Sequence, residues 1–289
     1  MTDAEESPHT GADGSGAARG GEAGSAAPET LIELTDEETA VLFGNLEGLV
    51  ASPYLDQVPD DERTTVLHTA YRSLLARGVI VAAPPTREPR EDGRPEVEMA
   101  AGLAFLADIR DGAPVLLCLQ RTVDDECVLR YAHVVDRFVL VEDVLEGGLH
   151  RFGWLERDRL RACLQEFLVP DGAVAGSGEP VALTSGWAGE QGPGPDDEPP
   201  AVPAVLEQAS VNIDATVRHL LDEGPGELLG FFLGHAGSWL SRNQFGAGGA
   251  VRLEPVEPTQ VGRLVEALVV EAEGLVIRAL AVEEAMTPG

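Results

Sequence analysis

Lysine is missing from this chain. All 20 basic residues are arginine, and they stand against 50 acidic ones for a formal charge of −30. Nucleic-acid binding requires clustered cations to neutralise phosphates, and no basic cluster occurs here. An anionic membrane surface would repel the chain for the same reason. Without lysine, the glycine-rich run Gly246-Ala247-Gly248-Gly249 lacks the cation of a phosphate loop; it leads into a predicted strand and reads as a turn. Aromatic residues make up only 5% of the sequence, so a core must be built from Leu, Val and Ala. The three cysteines, Cys118, Cys127 and Cys163, are odd in number, widely spaced and without a Cys-x-x-Cys pair. That pattern reads as reduced thiols in a cytosolic protein rather than a disulfide framework. No apolar run approaches the roughly 20 residues that cross a bilayer. The N-terminus has no charged-then-apolar order of a signal peptide, and a cytoplasmic location is expected.

Chemistry-bearing motifs are scarce as well. His133, His150, Cys118 and Cys127 fall in predicted strands, but not as the close pairs that structural zinc sites use. They read as satisfied core or edge residues, and neither a metal nor a cofactor is expected. Adjacent acids such as Asp124/Asp125, Glu142/Asp143 and Glu283/Glu284 could in principle serve acid–base work. In so acidic a chain they read as solvated turn residues. Gly-x-Ser-x-Gly is absent, and Ser185 lies in a linker without the strand–turn–helix of a nucleophile elbow. The chain is not expected to be an enzyme.

What the sequence does contain is a pattern that occurs twice. His150-Arg151-Phe152-Gly153-Trp154-Leu155-Glu156 followed by Arg157 to Leu168 reads as a strand, an acid and an amphipathic helix. Val251 to Glu257 followed by Pro258 to Val269 repeats it, offset by 101 positions (Arg151 to Arg252, Glu156 to Glu257). The offset aligns Phe152 with Leu253, Leu155 with Val256, Leu160 with Val261, Leu164 with Val265 and Phe167 with Leu268. The expected architecture is therefore α+β with two related, quasi-two-fold halves, each an antiparallel sheet with flanking helices.

Residues 1–29 are acidic and too poor in large apolar side chains to offset the entropy of ordering; they read as a disordered tail. The N-terminal α+β half is expected over 30–170, a Gly/Pro/acidic linker or insert over 171–203 and the C-terminal half over 204–289. Thr35-Asp36-Glu37-Glu38 is a capping box opening a first helix. A second helix runs from about Asp60 to Arg77, with Gly78 as its left-handed cap, and Val79 to Val81 is a short strand. A helix from about Val97 to Ala107 is followed by strands at 115–120, 127–133, 138–141 and 149–155, an antiparallel meander. In the second half a helix is expected near Ile213 to Leu221. Strands are expected at 228–233, 238–242 and 251–256. A helix starts at Pro258, and a last strand is expected at 275–282; Gly274 either ends the helix or turns a hairpin.

Two segments favour partner binding. Leu229, Phe231, Phe232, Leu233, Trp239, Leu240 and Phe245 concentrate aromatic content in one region, as a buried strand pair or as a docking surface. Trp239, Phe245 and Arg242 are the candidate contacts there, because aromatics and Arg dominate interface hot spots. Arg151 and Trp154, flanking the first repeated strand, are candidates of the same kind. The excess negative charge serves solubility or steers a basic or amphipathic protein partner.

Residues 35–80 carry two resemblances. Ala70 to Ile80 resembles the helix ending of winged-helix modules, which makes a regulatory protein the alternative reading. The Thr-capped helix, the loop Ser52-Pro53-Tyr54-Leu55 and the helix ending Ser73-Leu74-Leu75-Ala76-Arg77-Gly78 resemble the N-terminal region of EspG-type proteins. These accompany ESX (type VII) secretion in actinobacteria, whose GC-rich genes the Arg-only, Ala/Gly/Pro-rich composition matches. The resemblance spans about residues 30–285; the acidic tail and the Pro/Gly-rich linker depart from it. It implies a quasi-two-fold α/β fold and a non-enzymatic cytosolic chaperone that binds a secreted helical partner, PE/PPE- or WXG-like. It assigns no contact residue in this sequence.

Overall fold

The computed structural model describes residues 26–44, 49–82, 97–183, 204–219, 227–244 and 251–286. The expected tail, apart from its last four residues, lies outside the described residues, as do Phe245, the Gly246–Gly249 turn and positions 184–203 of the linker.

The capping box forms as the sequence dictates. Glu38 N donates to Thr35 Oγ1 at 3.3 Å, and Thr35 N donates to a Glu38 carboxylate oxygen at 3.5 Å. It opens helix α1 (Asp36–Phe43), which is preceded by strand β1 (Glu29–Thr35), an element the sequence reading did not foresee. Helix α2 (Asp60–Ala76) ends at Gly78, whose φ of +68° is the left-handed conformation glycine adopts without strain. Glu38 also accepts from Ser73 Oγ at 2.9 Å and Arg77 Nη1 at 2.7 Å, which ties α2 to the start of α1. Strand β2 (Ile80–Ala82) pairs with β3 (Val97–Met99) as a separate two-stranded ribbon, and helix α3 (Ala101–Gly112) follows.

Next comes the expected meander: β4 (Val115–Val123), β5 (Glu126–Val135), β6 (Phe138–Leu145) and β7 (Leu149–Glu156). A short 3₁₀ turn leads into α4 (Leu160–Leu168). Beyond β8 (Val181–Leu183) and the four-residue α5 (Ala204–Glu207) lie β9 (Val211–His219), β10 (Glu227–Gly234), β11 (Gly237–Gln244) and β12 (Val251–Pro255). Another 3₁₀ turn starts at Pro258, and α6 (Val261–Met286) closes the described chain.

The strands of both halves form one antiparallel sheet of ten, in the order β1-β7-β6-β5-β4-β9-β10-β11-β12-β8, so the fold class is α+β. The halves meet where β4 pairs with β9, from Val115↔His219 to Val123↔Val211. One face of the sheet carries α4 and α6. There Leu117, Val134, Val141, Ile213, Phe231 and Leu240 from the strands pack against Leu160, Leu164, Val265 and Val269 from the helices. On the other face of the N-terminal half, Leu34, Leu140 and Phe152 pack beneath Leu42 and Phe43 of α1, Leu74 of α2, and Leu106 and Ile109 of α3.

The two stretches aligned by the 101-residue offset each hold a strand followed by a helix. Leu155 and Val256, Leu160 and Val261, Leu164 and Val265, and Leu168 and Val269 are all buried in the same core. Helices α4 and α6 touch at the corresponding positions Arg161 and Gly262: a Cβ on Gly262 would lie 2.8 Å from the Arg161 carbonyl, so only glycine permits this approach. Gln165 completes the crossing by accepting from Gly262 N at 3.0 Å and donating to the Pro258 carbonyl at 2.9 Å. Beyond this unit the halves differ. Three helices precede the meander of the first, whereas residues 204–210, directly ahead of β9, hold only α5.

Three expectations are corrected. The helix near 213–221 is strand β9, because Val211, Ile213, Ala215 and Val217 are buried while Asn212, Asp214 and Arg218 are exposed, a period of two. The strand expected at 275–282 belongs to α6, which runs through Gly274 because Val265, Leu268, Val269, Ala272 and Val276 keep a helical stripe on the core. The stripe ends there, and Ile277 and Leu280 are exposed. Glu142 and Asp143 are not turn residues but buried mid-strand positions of β6, one on each face. Arg130 of β5 holds Asp143 on the α4/α6 face at 2.6 and 2.8 Å, with its guanidinium 3.6 Å from the Phe167 ring centroid.

Candidate functional site

Glu142 faces the α1–α3 side and is completely buried, where an isolated carboxylate would be costly. Four donors surround it. Arg110 of α3 donates from Nε at 2.9 Å and Nη2 at 3.2 Å, His133 Nε2 lies at 3.0 Å and His150 Nδ1 at 2.7 Å. The other His150 nitrogen lies 2.6 Å from Asp36, whose second oxygen accepts from Tyr54 N and Leu55 N at 2.6 and 3.1 Å. Ionised carboxylates only accept, so a ring between two of them must donate from both nitrogens and carry a proton on each. Burial alone would lower the His150 pKa, but its hydrogen bonds and attraction to Asp36 and Glu142 raise it. Burial would likewise raise the Glu142 pKa, yet the hydrogen bonds of His133 and His150 and the charge of Arg110 hold it well below the usual carboxylate range. Two carboxylates thus balance one guanidinium and one imidazolium. The cluster locks α1, the 54–55 backbone and α3 onto β5, β6 and β7. Its donors and acceptors are turned on one another, and among the described residues no group of His, Cys, Asp and Glu is arranged to hold a metal ion.

Beside this lock lies an apolar groove of about 610 Å³. Helix α3 and its N-cap Ala100 form one wall with Gly102, Leu103, Phe105, Leu106 and Ile109; β1 forms the other with Leu31 and Ile32; Phe138, Leu140 and Trp154 line the floor. Arg110 holds α3 from below, and its neighbours Leu106 and Ile109 point into the same layer. Leu31 enters the groove because the β1–β7 register slips between Thr30 and Ile32, where Thr30 pairs with Gly153 and Ile32 with Phe152. Trp154 stands opposite Glu29 and Leu140, its ring 5.8 Å from that of Phe138. Phe105, Leu31 and Trp154 are 54%, 45% and 39% exposed. Large apolar side chains clustered at a surface groove mark an interaction site.

Among the described residues expected to bind a partner, only Trp154 lies in this groove. Arg151 is on the opposite face of β7, paired with Glu33 at 2.7 Å. Trp239 is buried, 6% exposed, where the segment Val174–Gly176 hydrogen-bonds to Gly234 and Val256 and passes over the β10–β11 hairpin. Arg242 is exposed and pairs with Glu227 at 3.2 Å. Six strand steps separate β7 from β11, about 29 Å at ~4.8 Å per step, so the two proposed regions are not brought together. Sequence reasoning missed Leu31, Phe105 and Phe138. Phe105 carried a signal, being an aromatic off the apolar stripe of α3.

No family model matches the sequence, and comparison with curated proteins gave no match. Among solved structures, 11 chains match. One is from the Mycobacterium tuberculosis type VII secretion system chaperone EspG5 in complex with a PE25-PPE41 dimer. It has a TM-score of 0.46 and 11% identity over 82% of this chain and 95% of that one. The chain thus bears a weak resemblance to an EspG-type chaperone. Among the described residues no helix is long and apolar enough to cross a membrane.

Proposed function

We propose that this chain is a non-enzymatic, EspG-like cytosolic chaperone that shields an apolar surface of a secreted helical partner, PE/PPE- or WXG-like. The observation that carries the reading is the exposed apolar groove between α3 and β1, where Phe105, Leu31 and Trp154 stand uncovered on an otherwise acidic protein. Shielding needs no reacting group. It needs apolar area that the partner can cover, at roughly 25 cal/mol per Å² removed from water. Trp154 is the contact residue retained from the sequence; Trp239 packs within the sheet instead.

Co-expression with PE/PPE and WXG-type pairs, followed by size-exclusion chromatography, tests the proposal. A stoichiometric soluble complex is expected, lost when Phe105 and Trp154 are both changed to Ser and retained in Arg242→Ala. A complex that survives the double change, or the lack of a complex with any such pair, overturns it.

A further inference from the structure

Past Phe138 the apolar groove adjoins a second cavity of about 750 Å³, which also has Phe138 in its lining but is otherwise charged. Asp136, Glu156, Asp158 and Glu266 contribute four carboxylates there, against Arg137 and Arg157. Arg157 is already engaged by Glu266 and Glu273 at 3.3 and 3.1 Å, and Arg161 holds Glu266 as well. Arg137 lies over the Phe138 ring, 5.0 Å from its centroid. Asp136, Glu156 and Asp158 are exposed and make no ion pair among the described residues. The apolar groove is edged by the same sign of charge: Glu29 stands opposite Trp154, Glu156 opposite Phe138, and Asp108 one turn beyond Phe105, all exposed.

The lining of the groove offers almost no hydrogen-bonding group, and the floor strands β6 and β7 have paired their backbones with their neighbours, leaving only the outer edge of β1, the last strand of the sheet, open. An occupant seated on that apolar floor, rather than along the β1 edge, must satisfy its own backbone, which a helix does and an extended segment does not. From this juxtaposition we infer that the groove and the carboxylate cavity form one bipartite surface. It takes an amphipathic partner helix with an apolar stripe at i, i+3, i+4 and i+7 seated between α3 and β1, and Lys or Arg clustered at one end against Asp136, Glu156 and Asp158. This rests on the chaperone reading and specifies its partner. A chain of charge −30 would then select cationic helix ends over acidic ones before contact, through its own field.

The test is fluorescence anisotropy with three labelled 18-residue helices that share one Leu/Phe stripe and carry four Lys, four Gln or four Glu at one end. The Lys helix should bind at least tenfold more tightly than the Gln helix, and the Glu helix weakest. The preference for Lys should collapse in Glu156→Lys/Asp158→Lys and at 0.5 M salt, while Phe105→Ser should weaken the Lys and Gln helices alike. Thermal melts of the variants check that each is folded. Equal binding of all three helices, abolished by Phe105→Ser, would overturn the charged end while leaving the chaperone reading intact. Binding unaffected by Phe105→Ser, or no binding of any helix, would overturn both. Concentration-dependent dimerisation that Phe105→Ser abolishes would assign the groove to a second copy and overturn the inference.

Discussion

Replacing Glu142 with Gln tests the buried charge lock. The change keeps the shape of the side chain and removes the negative charge that Arg110 and His150 share, leaving two cations opposite Asp36 alone in a site closed to water. Removing one partner of a buried ion pair costs about 3–5 kcal/mol, because the remaining charge stays desolvated. For a domain of this size each kcal/mol moves the midpoint by roughly 2–4 °C, so Glu142→Gln should melt about 6–20 °C below the parent. The control is Arg151→Ala, which breaks an exposed pair with Glu33. Both partners there are more than two-fifths exposed, and such pairs contribute about 0–1 kcal/mol. Urea unfolding followed by circular dichroism would measure both. If Glu142→Gln loses no more stability than Arg151→Ala, the cluster does not carry the charges assigned to it.

Three further outcomes are expected. The His150 pKa is raised above its ordinary 6.5, so its contribution is complete below about that pH and is lost as pH rises through the folded value. Glu142, depressed below 4.5, loses its contribution as pH falls. Stability measured against pH should therefore fall on the alkaline side from pH 6.5 upward in the parent, and that decline should flatten in His150→Gln. Trp239→Ala should cost about 3–5 kcal/mol as a buried aromatic truncation, whereas Trp154→Ala should cost under about 1 kcal/mol; equal effects in urea titrations would contradict their different burial. Thiol labelling at pH 8 should modify exposed Cys127 first. Cys118 should lag, because burial pushes its thiol up to about 11 against the smaller opposing effect of Arg218, and Cys163, buried and with its pKa likewise raised by burial, should lag too. Mass spectrometry of the labelled protein would reveal a different order.

Most of the fold was legible where local chemistry decides it. The capping box at Thr35, the Gly78 cap and the four strands of the first meander all follow from residues within a few positions of one another. β9 was misread because Ile213 to Leu221 offers apolar residues at spacings that suit either period; only the pairing with β4 and β10 selects the strand. α6 was cut short because Leu275-Val276-Ile277, with two β-branched residues, follows a glycine, while the long-range packing of Val269, Ala272 and Val276 holds it helical. The site was less legible still. Trp154 stood out by type, but Leu31 enters the groove through a register slip and Phe138 through a neighbouring strand. No spacing along the chain announces that Asp36, Arg110, Glu142 and His150 meet across four elements.

The seam between β4 and β9 joins nine residue pairs from segments far apart along the chain. Each meander can assemble from near neighbours, but the seam has to wait for a wide loop to close, which makes it a late event in folding. Closure entropy grows only logarithmically with loop length, about 0.6 kcal/mol per doubling. Insertions or deletions between β8 and α5 should thus be cheap, and a chain cut in that connection should persist as one two-piece particle. Evolution could lengthen or shorten the connection after β8 without redrawing the sheet.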